Sequence, residues 1–197
     1  MSRLSRWVQF TLFTAAFSIL SYCAYVVVDA WAFEKNQSQR LNEMLQAKHV
    51  VIAPGAASIS PAPTIDGLIG RLEIERLGIS VMVVEGTSGT VLRRAAGHIA
   101  GTPVPGVAGN IGISAHRDTF FRPLRNVREN DVVTVTTPAG FYRYRVVSTK
   151  IVAPDDVSVL SASGSEVLTL VTCYPFYFVG AAPQRFIVRA ERVSSAL

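Results

Sequence analysis

A cysteine lies at the end of a predicted β-strand, where a nucleophile would be held in place and open to substrate. Val167–Cys173 is apolar and β-branched, and Pro175, which cannot donate to a sheet ladder, follows closely. Because the strand is rigid, it would fix the position of the Cys173 thiol. A free cysteine is also often a small buried apolar residue. This strand alone favours the buried interpretation.

A histidine follows a second predicted strand. His116 comes directly after Ile111–Ala115 and before a polar loop. Imidazole can take a proton from a thiol and return it to a leaving amine. Cys173 is the single thiol outside the apolar N-terminal segment, which holds Cys23. Considered together with Cys173, His116 is explained equally well as a catalytic residue and as an ordinary core or loop histidine.

Attack of a thiolate on a carbonyl produces an oxyanion, which needs a donor to stabilise it. Arg185, at the start of the predicted strand Arg185–Arg189, could supply a fixed cation with several N–H groups. The residues themselves do not distinguish it from three other arginines: Arg117, Arg122 and Arg189.

The N-terminal region predicts a membrane anchor. Residues 1–6 contain Arg3 and Arg6, and the uncharged run of residues 7–28 would form a helix of about 33 Å, enough to cross a bilayer. The positive flank predicts a cytoplasmic N-terminus and an extracytoplasmic location for the rest of the chain. We expect a juxtamembrane helix or stalk over residues 29–50 and a Pro/Ala/Ser-rich linker over residues 51–66, able to hold a domain away from the bilayer.

Residues 67–197 read as one all-β catalytic domain. Seven strands are predicted: Gly70–Ile74, Ile79–Val84, Ile111–Ala115, Asp131–Thr136, Phe141–Ile151, Val167–Cys173 and Arg185–Arg189. Short helices are expected over Thr90–Ala96 and around Phe121–Asn126, with His98 in a Gly-bounded loop and most simply structural. Many short strands with few helices indicate a β-barrel or sandwich.

The composition limits the partners and cofactors. The net charge is +5, but the basic residues are scattered and do not alternate with aromatic residues, so no nucleic-acid partner is predicted. Three histidines and two cysteines, without short ligand spacing, predict no metal site and no cofactor.

Three segments together resemble the sortases, a family of membrane-anchored cysteine transpeptidases. Thr169–Cys173 reads TLVTC and matches the family signature TLxTC; Gly109–Asp118 resembles the segment around the catalytic histidine, and Arg185–Val188 the strand with the catalytic arginine. Ala115 stands where a glycine often precedes the histidine. The resemblance covers roughly Leu68 to Val193 and is greatest for class D sortases, including Gram-negative members.

This resemblance implies an eight-stranded sortase-type barrel with His116, Cys173 and Arg185 as catalytic residues. It implies cleavage of an LPxT-type C-terminal sorting signal in exported proteins, through a thioacyl intermediate on Cys173, and transfer to an amine acceptor at the cell surface. A cysteine hydrolase of the same fold would use the same residues. A membrane-tethered barrel that only binds peptide is the third alternative.

Overall fold

The computed structural model describes residues 3–50, 67–178 and 180–193. Its elements are, in chain order, α1 (Arg3–Val50), β1 (Leu68–Ile74), β2 (Ile79–Glu85), α2 (Gly89–Leu92), β3 (Ala96–His98), β4 (Gly109–Ser114), β5 (Val132–Thr137), β6 (Gly140–Val152), β7 (Glu166–Tyr174) and β8 (Gln184–Arg192). Single 3₁₀ turns cover Glu75–Leu77, Arg122–Asn126 and Val157–Leu160. The predicted linker, residues 51–66, lies outside the described residues.

The strands form a closed barrel in the order β1-β2-β3-β4-β7-β8-β6-β5, which confirms the eight-stranded fold. β2 with β3 and β4 with β7 are parallel pairs; the other neighbours are antiparallel. Closure between β1 and β5 depends on Gly70, since a Cβ there would lie 2.1 Å from the Thr136 carbonyl oxygen. A side chain at this position would push the two strands apart.

The core follows the alternation of the strands. Leu168 and Leu170 of β7 point inward and pack with Ile111, Ile113 and Val188. Cys173 therefore lies on the outer face of the same strand, because side chains alternate between the two faces along a strand. The strand ends at Tyr174, immediately before Pro175.

One strand was missed by the sequence patterns. The predicted helix over Thr90–Ala96 is shorter in the structure, and Ala96–His98 forms β3 instead of a loop. Three residues are too few for alternation to be visible. Gly97 allows β3 to reach the preceding loop, because a Cβ there would lie 2.2 Å from the carbonyl oxygen of Gly86.

α1 combines an exposed apolar half with a half that packs on the barrel. Side chains of residues 6–28 are exposed except for half-buried Val26, whereas Leu41 is fully buried against Leu68, Met82 and Val84. α1 is the one helix among the described residues that is long and apolar enough to cross a membrane. The C-terminal half of α1 therefore packs against the barrel and is more than a connection between the barrel and the apolar segment.

An ion pair joins the end of the apolar run to the barrel. Arg94, just after α2, donates from Nε and Nη2 to the two carboxylate oxygens of Asp29, at 2.6 and 3.0 Å. Because Asp29 is the first charged residue after the apolar run, the barrel lies close to the end of that run. The role expected for the linker, which lies outside the described residues, stays a prediction.

Candidate active site

Cys173 and Arg185 are cross-strand neighbours. They oppose each other in the antiparallel pairing of β7 with β8, so their side chains leave the sheet on the same face. Both side chains are half-buried. The pairing brings a thiol and a guanidinium together through the backbone ladder of two adjacent strands.

His116 reaches the same place from β4. The parallel pairing of β4 with β7 ends at Ser114 opposite Val171, and the N–H of Ala115 still donates to the Val171 carbonyl at 3.2 Å. The buried Thr172 hydroxyl donates to the Ala115 carbonyl at 2.7 Å. These two bonds tie the residue before His116 to the residues before Cys173, so the exposed imidazole follows at the level of the thiol.

The register distinguishes among the four candidate arginines. Arg185 is the one opposite Cys173. Arg189 lies on the same face of β8 but four residues further along the strand, opposite Thr169. Arg122 is exposed at the start of a 3₁₀ turn, and Arg117 is buried. The predicted trio of His116, Cys173 and Arg185 is therefore brought to one end of β4, β7 and β8.

In this structure the guanidinium of Arg185 is held by its own loop. Its Nη1 donates to the carbonyl oxygens of Ala182 and Gln184, at 3.2 and 3.0 Å. Since a guanidinium carries five N–H groups, donors are left for a substrate oxygen. These two bonds restrict the orientation of the side chain beside the thiol.

Arg117, next to the histidine, clamps the loop between β7 and β8. It is 5% exposed, and its guanidinium donates to the carbonyls of Pro175, Phe178 and Gly180 at 3.0, 2.6 and 3.1 Å. The loop connects Cys173 to Arg185, so this buried cation fixes the path between two of the three site residues. The sequence offers no sign of this role beyond the position of Arg117 beside His116.

Three aromatic rings support the end of β7. Tyr174 stacks on Phe186 at 6.2 Å between ring centroids, and Phe176 meets both rings edge-on at 5.9 and 5.3 Å. Phe176 and Phe186 also pack against the barrel core. Such aromatic pairs favour fixed geometries, so they stabilise the strand end that carries the thiol.

His98 lies elsewhere and is fully engaged. It is 2% exposed, with Nδ1 2.7 Å from a Glu85 carboxylate oxygen and Nε2 2.9 Å from the Pro103 carbonyl oxygen. Because both ring nitrogens have partners, the structure supports the structural role predicted for this histidine.

Comparison with known sequences gives one family for most of the barrel. Residues 72–193 match the profile of the Sortase domain family. Sortase D of Bacillus subtilis is 38% identical over 126 residues, which cover 64% of each chain. Sortase A of Listeria monocytogenes is 28% identical over 112 residues, 55% of this chain and 50% of that one. The alignments thus span less than two thirds of the length of these relatives.

Solved structures show the same architecture. A Clostridium perfringens Sortase D5 transpeptidase superposes with a TM-score of 0.63 at 23% identity, covering 83% of this chain and 97% of that one. Sortase C2 of Group B Streptococcus Pilus Island 1 superposes with a TM-score of 0.61 at 27% identity, covering 81% and 98%. The barrel fold is therefore shared with chains of two differently named sortase types.

Proposed function

The chain belongs to the sortase family, and on that basis we propose that it is a cysteine transpeptidase acting on exported proteins with an LPxT-type C-terminal sorting signal. It transfers the protein, through a thioacyl intermediate on Cys173, to an amine acceptor at the cell surface. The observation that carries the proposal is the meeting of Cys173, Arg185 and His116 at one end of three adjacent strands.

In the first half-reaction, the thiol proton of Cys173 passes to His116, and the sulfur attacks the carbonyl carbon of the residue before the cleaved bond. Arg185 stabilises the oxyanion of the tetrahedral intermediate through its N–H groups. The carbon–nitrogen bond then breaks, and His116 gives a proton to the leaving amine. The products are a thioester on Cys173 and a free amine.

In the second half-reaction, His116 takes a proton from the acceptor amine, which attacks the thioester carbonyl. The carbon–sulfur bond breaks, an amide forms, and the Cys173 thiolate is regenerated. Water in place of the amine would give hydrolysis with the same residues. The exposed position of His116 suits a group that must meet an incoming acceptor.

The proposed division of the chain is a cytoplasmic segment (residues 1–6), a single membrane span (7–28), a juxtamembrane helix (29–50), a linker (51–66) and the catalytic domain (67–197). The exposed apolar half of α1 and the Asp29–Arg94 ion pair support an anchored barrel close to an extracytoplasmic membrane surface. Confining enzyme and membrane-bound substrate to one bilayer raises their effective concentration.

The proposal is tested with the full chain in detergent micelles, as wild type and Cys173→Ala. Each is incubated with LPxTG and LPxTA peptides, with and without an amine acceptor, and the products are identified by mass spectrometry. We expect a ligated product that requires Cys173. Cleavage that never captures the amine would replace the transpeptidase with a hydrolase, and no Cys173-dependent product would overturn the substrate class.

A further inference from the structure

We propose that a basic cleft on the outer face of β7 and β8 binds an aspartate or glutamate side chain of the substrate, next to the sorting motif. The inference rests on the proposed peptide substrate. The cleft has a volume of about 190 Å³ and lies between the 3₁₀ turn Val157–Leu160 and the sheet. Its lining includes Lys150, Val159, Thr169, Ile187 and Arg189.

The cleft is aligned with the nucleophile. In the pairing of β7 with β8, Cys173 opposes Arg185, and Thr169 opposes Arg189 four residues further along each strand. Residues spaced by an even number share a face, so the cleft and the thiol open on the same side of the sheet. Four residues of strand span about 13 Å, the same as four residues of an extended peptide.

The cleft carries a positive charge that the described residues leave largely unbalanced. No carboxylate lines it, and the side chain of half-buried Arg189 has neither an ion pair nor a hydrogen bond among the described residues. The hydrogen bonds from Ser158, and to a smaller extent the charge of Lys150, lower the pKa of the Asp156 carboxyl, so this carboxylate offsets part of the Lys150 charge; it forms no ion pair with Arg189. Exposed Glu191 lies outside the lining, opposite Arg145 of β6.

This arrangement matches an acidic side chain better than a neutral one. Ile187 and Val159 supply apolar walls that reduce the water around Arg189 and so strengthen its attraction for a carboxylate. The Thr169 hydroxyl donates to the Asn110 side chain at 2.6 Å and is not free to donate into the cleft. The planar guanidinium of Arg189 can donate two parallel hydrogen bonds and so suits a carboxylate geometrically.

We expect the cleft to bind the acyl half of the substrate, which is the half that stays on the enzyme during the reaction. The acyl half stays bound to Cys173 through both half-reactions, whereas the leaving half must depart to admit the acceptor. The acidic residue is therefore assigned four positions before the residue whose carbonyl is attacked. In an LPxT-type signal, this is the residue directly before the leucine.

The test uses the full chain in detergent micelles and peptide pairs that differ only in Asp or Asn before the leucine. At low salt, we expect the wild type to cleave the Asp peptide with a kcat/KM about fivefold higher, a preference that weakens as salt screens the charges. Arg189→Gln should remove most of the preference for Asp over Asn, leaving what the more exposed Lys150 contributes. Arg189→Glu should reverse the charge preference, so that a peptide with Lys before the leucine has a higher kcat/KM than the Asp peptide. Arg145→Gln, an exposed arginine outside the cleft, is the matched control.

A binding measurement distinguishes an error in the proposed subsite from an error in the proposed function. Fluorescently labelled versions of the Asp and Asn peptides are titrated against the Cys173→Ala variant, with and without the additional Arg189→Gln substitution. Equal affinity and equal cleavage of the Asp and Asn peptides would overturn the subsite and leave the transpeptidase proposal intact. Absence of Cys173-dependent products would overturn the proposed function, while tighter Asp binding that Arg189→Gln largely removes would still support the acidic-peptide cleft.

Discussion

Cys173 and Arg185 oppose each other directly in the pairing of β7 with β8, although a loop of several residues separates the two strands. The backbone hydrogen bonds of both strands fix their Cα positions, so thiol and guanidinium are placed before any substrate arrives. Preorganised donors lower a barrier because they need not reorganise during the reaction.

Replacement of Arg185 should therefore affect the chemical step more than the fold. We expect Arg185→Lys to lower kcat/KM by about 10² to 10³, since an ammonium keeps the charge but loses the planar fork. Peptide cleavage rates and thermal unfolding in detergent check this. Arg122→Gln, an exposed arginine outside the register, serves as control and should be near wild type. Equal activity of Arg185→Lys and wild type would remove Arg185 from the mechanism.

Two histidines should give opposite phenotypes. His116→Asn is expected to lower kcat by about 10² to 10⁴ through loss of proton transfer, with unchanged stability because the side chain is exposed. His98→Gln should instead destabilise the barrel by about 1–3 kcal/mol, since it disrupts bonds to Glu85 and Pro103. Activity per folded molecule and denaturant unfolding distinguish the two. The prediction fails if His98→Gln is the inactive variant and His116→Asn the unstable one.

The strands that carry the site were predictable because their patterns are strong. β7 alternates cleanly between inward leucines and an outward face that ends at Cys173, and its end is marked by Pro175. The choice of Arg185 was possible only through resemblance to a family, since residue type alone left four arginines equal. The structure supplies the missing information, which is the cross-strand register.

Two features were beyond sequence reasoning for physical reasons. β3 is only three residues long, so it shows no period, and its place depends on the close contact of Gly97 with the preceding loop. Arg117 acts through hydrogen bonds to carbonyls 58 to 63 residues away in the chain. Backbone acceptors exist at every residue, so no residue type reveals such a partner.

Loss of the Arg117 clamp should misplace the β7–β8 loop. We expect Arg117→Ala to lower kcat/KM about 10- to 100-fold through poorer positioning, with added methylguanidine restoring part of the rate. Arg117→Lys should rescue poorly, because a compact ammonium does not span three carbonyls. Arg125→Gln is the control, since exposed Arg125 lies over the Tyr177 ring of the same loop and makes no hydrogen bond to the loop residues that the structure describes. A well-folded Arg117→Ala with the wild-type rate would contradict the positioning role.

Removal of α1 should expose an apolar surface on the barrel. A chain that begins at Gly67 lacks Leu41 and uncovers Leu68, Met82 and Val84, whereas one that begins at Asp29 keeps them covered. We expect the shorter chain to bind more 8-anilinonaphthalene sulfonate and to unfold at a lower temperature. In the longer chain, Leu41→Ala should cost about 2–4 kcal/mol. Identical dye binding and melting of the two chains would show that the helix contributes nothing to the barrel.

The contact between α1 and β2 should depend on pH through Glu34. Burial raises the pKa of this carboxyl, although its bond from the Met82 N–H at 3.3 Å and the charge of Arg71 act in the opposite direction. The folded state then holds the proton more tightly than the unfolded state. The contact is therefore most stable below the ordinary pKa of a glutamate and weakens as pH rises through the raised value.

Glu34→Gln removes the buried charge and keeps an oxygen that accepts from Met82. At neutral pH we expect this variant to hold the helix more tightly, by less than about 1 kcal/mol because solvent screens a half-exposed group. Hydrogen exchange of the β2 amides, followed from pH 4 to pH 8 in detergent, measures the opening free energy. Glu43→Gln, an exposed glutamate of the same helix, is the control and should leave the profile unchanged. Faster exchange at neutral pH in Glu34→Gln would mean that the charged carboxylate stabilises the contact, because its hydrogen bond would then outweigh the cost of burying it.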